Sequence, residues 1–311
     1  MSEETPHRPV LYNEILNVLQ PRREGYYVDG TLGAGGHAKG ILEASSPDGK
    51  LLGLDVDPQA LALARKRLFI FGERAIIRKA SYVTLGEQLR AMGWTMVQGI
   101  LLDLGASSMQ FDTATRGFSF RENAPLDMRF DPDNPVKAAD LVNSLSEQEL
   151  ADILFQYGEE RRAYQVARAI IRSRPISTTG ELASIVVKVT GIGKHGVHPA
   201  TRTFQALRIA VNHELEALEQ VLPQAVEALS PGGRMAVISF HSLEDRIVKQ
   251  FIRRESQDCV CPPRQPVCTC GHKASLLEVT RHPIQPGEDE IQGNPRARSA
   301  KLRVAERLTP S

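Results

Sequence analysis

No apolar run in this sequence approaches the roughly 18 to 20 residues needed to cross a bilayer. The opening segment, Met1 to Pro9, has no apolar signal-peptide core. A membrane-spanning or secreted protein is therefore not expected, and the cytoplasm is the default compartment. Aromatic residues are scarce, at 5% of the chain, which argues against a broad base-stacking platform. An excess of one charge is also missing. The 38 Lys and Arg against 37 Asp and Glu leave a formal net charge of +1, so any basic surface has to be local. Cysteine is rare, and the 4 present are bunched between Cys259 and Cys270, which does not contradict a cytoplasmic setting. Hydrophobic residues at 41% and charged residues at 24% are ordinary for a globular protein. A chain of 311 residues suffices for one large domain or two moderate ones.

The most informative stretch runs Tyr27-Val28-Asp29-Gly30-Thr31-Leu32-Gly33-Ala34-Gly35-Gly36-His37, followed by Leu51-Leu52-Gly53-Leu54-Asp55. An apolar run ends in an acid, a glycine-rich turn leads into a helical pattern from Ala38 to Ala44, and a second apolar run ends in another acid. This is how a βαβ unit that holds an adenosine group reads. The glycines let main chain approach a ligand. Asp55, at the tip of the second strand, is placed to accept hydrogen bonds from two ribose hydroxyls. In a nicotinamide-type site the first strand usually runs straight into the glycines, whereas here Asp29 precedes them. An acid there can orient the turn and attract the charged amino-acid end of S-adenosylmethionine. No Lys-Ser/Thr follows the glycines, so a phosphate-clamping P-loop is disfavoured. A tight strand-to-helix turn with no ligand is the plain alternative.

Strands are expected at Gly25–Asp29, Leu51–Leu54, Ala75–Arg78 and Gly99–Asp103, alternating with helices at 59–68 and 84–92, which implies a parallel sheet covered on both faces. From Met109 to about Thr203 that pattern breaks. Residues 111–135 read as an ordered loop, and helical signals follow. Ser146 to Glu149 and Thr178 to Glu181 are capping boxes. The sheet pattern resumes with a turn at Leu229–Arg234, a strand at Met235–Phe240 and a helix at Leu243–Arg254. Final strands are expected at 276–280 and 302–305. The reading is an α/β domain, 1–109 with 211–311, interrupted by a helical insertion at 110–210.

Asp103, in Asp103-Leu104-Gly105-Ala106-Ser107-Ser108, ends strand four, where ligands of open α/β sheets bind. It is a candidate contact for the adenine amine, the methionine ammonium or the acceptor. A helix-capping role for Asp103 or Ser107 is the alternative. Gln110 is polar and close behind. His241, after strand five, is a candidate substrate contact or proton acceptor, against a histidine satisfied by backbone, and Asp245 stands as a near-capping residue of the next helix. No nucleophile elbow is present, so a Ser-His-Asp hydrolase is disfavoured. Cys259, Cys261, Cys268 and Cys270 form two C-x-C pairs, with His272 following. They are candidate ligands of a tetrahedral zinc ion, or else reduced free thiols. The basic run Asn294 to Arg303, with Arg161, Arg162, Arg168, Arg172 and Arg174, offers phosphate contacts or only solvated faces. Phe118 and Phe120 either stack on an extruded base or anchor their loop in a core.

Together these pieces resemble the RsmH/MraW family of bacterial small-subunit (16S) ribosomal RNA cytosine-N4 methyltransferases. The resemblance rests on His7 to Leu11, Asp29 to His37, Leu101 to Ser108, Arg116 to Phe120, Pro125 to Arg129, Phe204 to Asn212, Ser239 to Arg246 and Asn294 to Arg303. It implies a class I, Rossmann-like, S-adenosylmethionine-dependent methyltransferase fold with an inserted all-helical substrate-recognition domain. The implied partner is 16S rRNA within the small ribosomal subunit, with no membrane, and a homodimer stays open. Gly35, Gly36, His37, Asp55, Asp103 and Gln110 match the family's cofactor-contacting positions, joined by Asp29 and Gly33 from the glycine turn. Tyr82 stands where the family often has Phe, which keeps adenine stacking open. Met109 departs from the expected Pro. The implied reaction is in-line attack of the cytosine amine on the sulfonium methyl, with Asp103 or His241 orienting the amine and the target base exposed or flipped. Two readings from other classes are an NAD-type oxidoreductase, against which Asp29 argues, and a non-enzymatic RNA-binding factor, which need not bind S-adenosylhomocysteine.

Overall fold

A computed structural model of the chain describes residues 9–191, 198–262, 265 and 267–309. His7 and Arg8, at the start of the resemblance, lie outside the described residues. The chain divides into two compact units, Met1–Gly105 with Leu215–Ser311, and Ala106–Glu214.

The first unit is built on a seven-stranded sheet with the order β3-β2-β1-β4-β5-β7-β6. Its strands are β1 (Tyr26–Asp29), β2 (Lys50–Asp55), β3 (Ala75–Lys79), β4 (Val97–Asp103), β5 (Leu229–Ser239), β6 (Leu276–Glu278) and β7 (Lys301–Arg307). β1 to β5 run parallel, and β7 pairs antiparallel with both β5 and β6. This is the class I methyltransferase sheet that the resemblance implies. The helices of this unit are α1 (Tyr12–Leu19), α2 (Gly36–Ala44), α3 (Pro58–Leu68) and α4 (Leu85–Ala91). After the insertion come α11 (Glu214–Ala228), α12 (Ser242–Glu255) and α13 (Glu288–Gly293).

The parallel strands are continuous apolar runs because both of their faces are covered. Successive side chains point to opposite faces. Leu52, Ile100, Leu102, Met235 and Val237 meet Leu85 and Leu89 of α4, Leu218 and Leu222 of α11, and Val248 and Ile252 of α12. On the other face Tyr27, Leu51, Leu101, Ala236 and Ile238 meet Ile15 and Leu19 of α1, Ile41 of α2 and Leu61 of α3. Asp57 starts α3 by accepting from the Gln59 amide at 2.9 Å, with Pro58 in the first turn. The turn expected at 229–234 is part of β5, where the register with β4 jumps from Val97↔Leu229 to Gly99↔Arg234 and Gly232 takes φ +76°.

The second unit holds α5 (Ser108–Asp112), α6 (Ala138–Ser144), α7 (Glu147–Gly158), α8 (Ala163–Arg172), α9 (Thr179–Thr190) and α10 (Thr201–Asn212) around one apolar core. Cuts at 109/110 and 210/211 would pass through α5 and α10. Phe118 is buried and stacks on Phe130 with ring centroids 5.5 Å apart, and Phe120 packs on His198 at 4.3 Å and Phe204 at 5.0 Å. Both rings are core anchors of this unit rather than an open stacking surface. No helix among the described residues is long and apolar enough to cross a membrane.

Two expectations need correction. α12 is capped by His241 and Glu244, not by Asp245. Asp245 turns instead to β7, where Arg303 Nε donates to it at 2.6 Å and Lys301 Nζ stands at 3.2 Å. Lys301 and Arg303 are thereby removed from the basic run expected to meet phosphate, and Arg303 is only 5% exposed. Arg174 is likewise committed to the carbonyls of Val142 and Leu145, and Arg162 donates to Val189 O.

A buried ion pair is costly to break from one side, because the partner charge stays behind unpaired. Asp245→Ala should therefore lower unfolding stability by about 3 kcal/mol in urea denaturation. Lys301→Ala, which removes the more exposed partner, should cost less than about 1 kcal/mol. Equal losses in the two variants would refute the burial argument.

Candidate active site

Three strand tips and one turn supply the chemistry. β1 ends in Asp29 and the chain bends at once. The Gly30 amide donates to Leu101 O of β4 and the Leu32 amide to Leu54 O of β2, each at 2.9 Å, which stitches the turn to its neighbouring strands. Gly33 at φ +51° and Gly35 at φ +76° occupy left-handed backbone that favours glycine. Gly35 caps α2, with Gly36 as its first residue, and a Cβ on Gly36 would collide with the Pro9 ring.

Asp55, at the tip of β2, holds the turn in place. Its Oδ2 accepts from the Gly33 amide at 2.7 Å and its Oδ1 from the Asp57 amide at 2.9 Å. The Val56 amide also favours the ionised carboxylate, which retains lone-pair capacity for a further donor. Tyr82 follows β3 in a 3-10 turn (Tyr82–Thr84), and its Cβ would stand 3.3 Å from a Cβ placed on Gly30. Tyr82 thus closes on the glycine turn.

Asp29 is 1% exposed and accepts from the Thr31 amide at 3.2 Å. Burial, and then the charge of Asp55, push its pKa up to about 7 against the Thr31 hydrogen bonds. Asp103 ends β4, with its amide donating to Thr31 Oγ1 at 2.6 Å. Burial first, then Asp29 and Glu244, push its carboxyl up to about 8. One carboxyl oxygen, Oδ1, is buried with no hydrogen-bond partner, and Oδ2 stands 3.7 Å from His37 Nε2. Asp55 is raised as well, chiefly by burial. His37, on α2, stacks against Tyr12 at 6.2 Å, and burial lowers its pKa to about 4, so it is neutral near pH 7. Among the described residues no Lys or Arg forms an ion pair with Asp29, Asp55 or Asp103. The arrangement concentrates acids and supplies no cation, so a positively charged ligand suits it.

His241 and Glu244 sit at the start of α12. His241 Nδ1 accepts from the Glu244 amide at 3.4 Å, and Nε2 stands 3.2 Å from Glu244 Oε1. Glu244 Oε2 accepts from the Phe240 amide at 2.8 Å and the His241 amide at 3.3 Å. Nδ1 thus serves the helix cap, while Nε2 is buried with no hydrogen-bond partner. Gln110 belongs to the second unit. Its side-chain oxygen accepts from the Ser107 amide at 2.9 Å and its own amide donates to Ser107 Oγ at 3.3 Å, which settles Ser107 as the cap of α5. Cys259, Cys261, Cys268 and Cys270 come together in the segment between α12 and β6.

Sequence reasoning missed Thr31 as the tie between the tips of β1 and β4, and Glu244 as the fourth acid. The spacing His241-x-x-Glu244 was the signal available for the second. For the first, only the position of Thr31 within the turn pointed to it.

The MraW methylase family model matches residues 4–308. The ribosomal RNA small subunit methyltransferase H of Thermomicrobium roseum is 51% identical over 307 residues, which is 98% of this chain and 94% of that protein. The protein of the same name from Geobacter sulfurreducens is 53% identical over 307 residues, covering 97% and 99%. That from Dehalococcoides mccartyi strain 195 is 51% identical over 306 residues, covering 98% and 87%.

The raised acids make stability depend on pH in a definite sense. Asp29 and Asp103 keep protons in the folded chain at a pH where the unfolded chain has lost them, so stability falls as pH rises through their folded pKa values. His37, with its pKa lowered, acts in the opposite sense, but only below its unfolded value of 6.5. The thermal midpoint of the ligand-free protein should therefore fall between about pH 6.5 and about pH 8. Asp103→Asn, which cannot ionise, should show a shallower fall in differential scanning calorimetry. An identical slope in parent and variant would be the contrary result.

Proposed function

Because the chain belongs to the MraW methylase family, we propose that it methylates small-subunit ribosomal RNA, with S-adenosylmethionine as donor and the exocyclic N4 amine of a cytidine as acceptor. The observation that carries this reading is the set of three acids without a counter-cation around a left-handed glycine turn. It occurs in a chain that matches the family from residue 4 to residue 308. The residues present fit the donor. The spare lone pairs of Asp55 suit two vicinal hydroxyls of a ribose. Tyr82, beside Gly30, suits the adenine. Asp29 suits the ammonium of the amino-acid end. When bound, the cofactor supplies a methyl group on a positively charged sulfur.

The cytosine amine is a poor nucleophile, because its lone pair is delocalised into the ring. This chain therefore contributes positioning and a proton acceptor. Of the two groups named from sequence, we assign that role to Asp103. Its carboxyl titrates at about 8, close to neutral pH, and one of its oxygens lacks a donor. His241 orders the start of α12 instead. No covalent bond to the base is needed. The target base must leave its stack to be reached. The helical unit is the proposed RNA-recognition body, with Arg161 and Arg172 exposed on it, and Arg296 and Arg298 add exposed charge on the first unit. A cytoplasmic setting is part of this proposal.

Methyl transfer from labelled cofactor to small ribosomal subunits tests the reading directly. N4-methylcytidine is the expected labelled nucleoside, and a different one, or none, would overturn it. Asp55→Ala should weaken S-adenosylmethionine and S-adenosylhomocysteine alike by about 10- to 100-fold, the loss of one or two charge-assisted hydrogen bonds. Asp103→Asn, which removes the proton acceptor, should lower methyl transfer at saturating donor far more than it lowers affinity for S-adenosylhomocysteine in calorimetric titration. Unchanged affinity in Asp55→Ala would remove the site.

A further inference from the structure

Between α12 and β6 no described residue is buried. From Arg253 to Ser275, every described position is exposed or half-exposed. A stretch this long has no apolar core to offset the entropy of ordering it. Its base is closed by a few hydrogen bonds. The Ser275 amide donates to Glu255 O at 2.8 Å, and the Ala274 amide donates to Asp258 Oδ1 at 3.2 Å. Farther out, Gln265 Nε2 donates to Val267 O at 3.0 Å and to Thr269 Oγ1 at 2.7 Å, and the four cysteines face one another.

The sulfurs of Cys259, Cys261, Cys268 and Cys270 all lie within 4.8 Å of one another. Cys268 and Cys270 are 3.6 Å apart, and Cys270 and Cys259 are 3.9 Å apart. A tetrahedron of sulfurs at about 2.3 Å from a central zinc has edges of about 3.8 Å. A disulfide would need about 2.05 Å, and all four cysteines are free thiols. The Cys270 sulfur also accepts from the His272 amide at 3.5 Å, an N–H contact that favours a thiolate. The His272 ring is engaged elsewhere, with Nε2 at 3.0 Å from Arg254 O. The thiols therefore make up the whole donor set.

We propose that Cys259, Cys261, Cys268 and Cys270 form a closed tetrathiolate zinc site that fixes this segment between α12 and β6. Four soft sulfur donors in a tetrahedral array select zinc over the hard divalent cations. All positions are filled by protein, so the ion is structural and has no open position for water or substrate. Binding releases the thiol protons to solvent, and no oxidation is involved. The short C-x-C spacing is accommodated, since the sulfurs of Cys268 and Cys270 already stand 3.6 Å apart. The site is independent of the methyl-transfer reading, since none of its ligands belongs to the strand-tip acids.

The test uses the full chain, purified without chelator and with any metal-binding tag removed. Elemental analysis should give about one zinc per chain. A Cys268→Ser/Cys270→Ser double variant should lose it while keeping cooperative thermal unfolding by circular dichroism. Replacing zinc with cobalt(II) should give the intense thiolate charge-transfer and ligand-field bands of a tetrahedral four-sulfur site. Removing zinc should speed tryptic cleavage after Lys273 about tenfold or more relative to the holoprotein. Zinc absent from freshly prepared protein made in zinc-supplemented medium, iron in its place, equal zinc in the double variant, or recovery of the four cysteines as disulfides would each overturn the proposal. If the double variant fails to fold, the cobalt spectrum of the parent decides alone.

Discussion

Asp29, Asp55, Asp103 and Glu244 are packed closely enough at the carboxyl edge of one sheet that the charge of one raises the proton affinity of the next. Burial takes away the water that would otherwise spread those charges, and no Lys or Arg among the described residues pairs with the first three. Like charges held in a poorly solvated place cannot all ionise without a counter-ion. The resting protein answers this by holding protons on Asp29 and Asp103 into the neutral range.

The surrounding structure serves to hold those acids in register. Parallel pairing of β1 with β2 and with β4 brings the three strand tips side by side. Thr31 ties β1 to β4 with its hydroxyl, and Asp55 ties β2 to the glycine turn with its carboxylate. Glu244 serves two ends, since it caps α12 and adds its charge to that felt by Asp103. The next residue, Asp245, faces the opposite requirement and is neutralised by β7. Two adjacent acids on one helix therefore have opposite fates, one facing a like charge and the other a buried guanidinium.

Much of this was legible in the sequence. The apolar runs ending in Asp29, Asp55 and Asp103 are strands ending in acids, because a strand covered on both faces needs an uninterrupted run and its exposed tip can carry a charge. Helices with capping boxes, such as α7 and α9, announced themselves. Among helices without one, α2 and α4 were still read from their apolar spacing, whereas α1 and α10 were missed. α1 is flanked by Leu11 and Gln20 in left-handed backbone and has no side-chain cap, and α10 starts after Ala200. Partner choice was harder still. Arg303 is 58 residues from Asp245, so nothing local marks it as structural rather than as part of a basic surface. The Phe118 and Phe120 rings were ambiguous for the same reason, since only the folded core shows what they pack on.

β7 is the last strand along the chain, yet it lies between β5 and β6 and brings the guanidinium that Asp245 requires. Losing the strand around residue 303 would therefore leave β6 without a neighbour and the Asp245 carboxylate without its counter-charge, so one short segment supports the sheet edge and the α12 surface together.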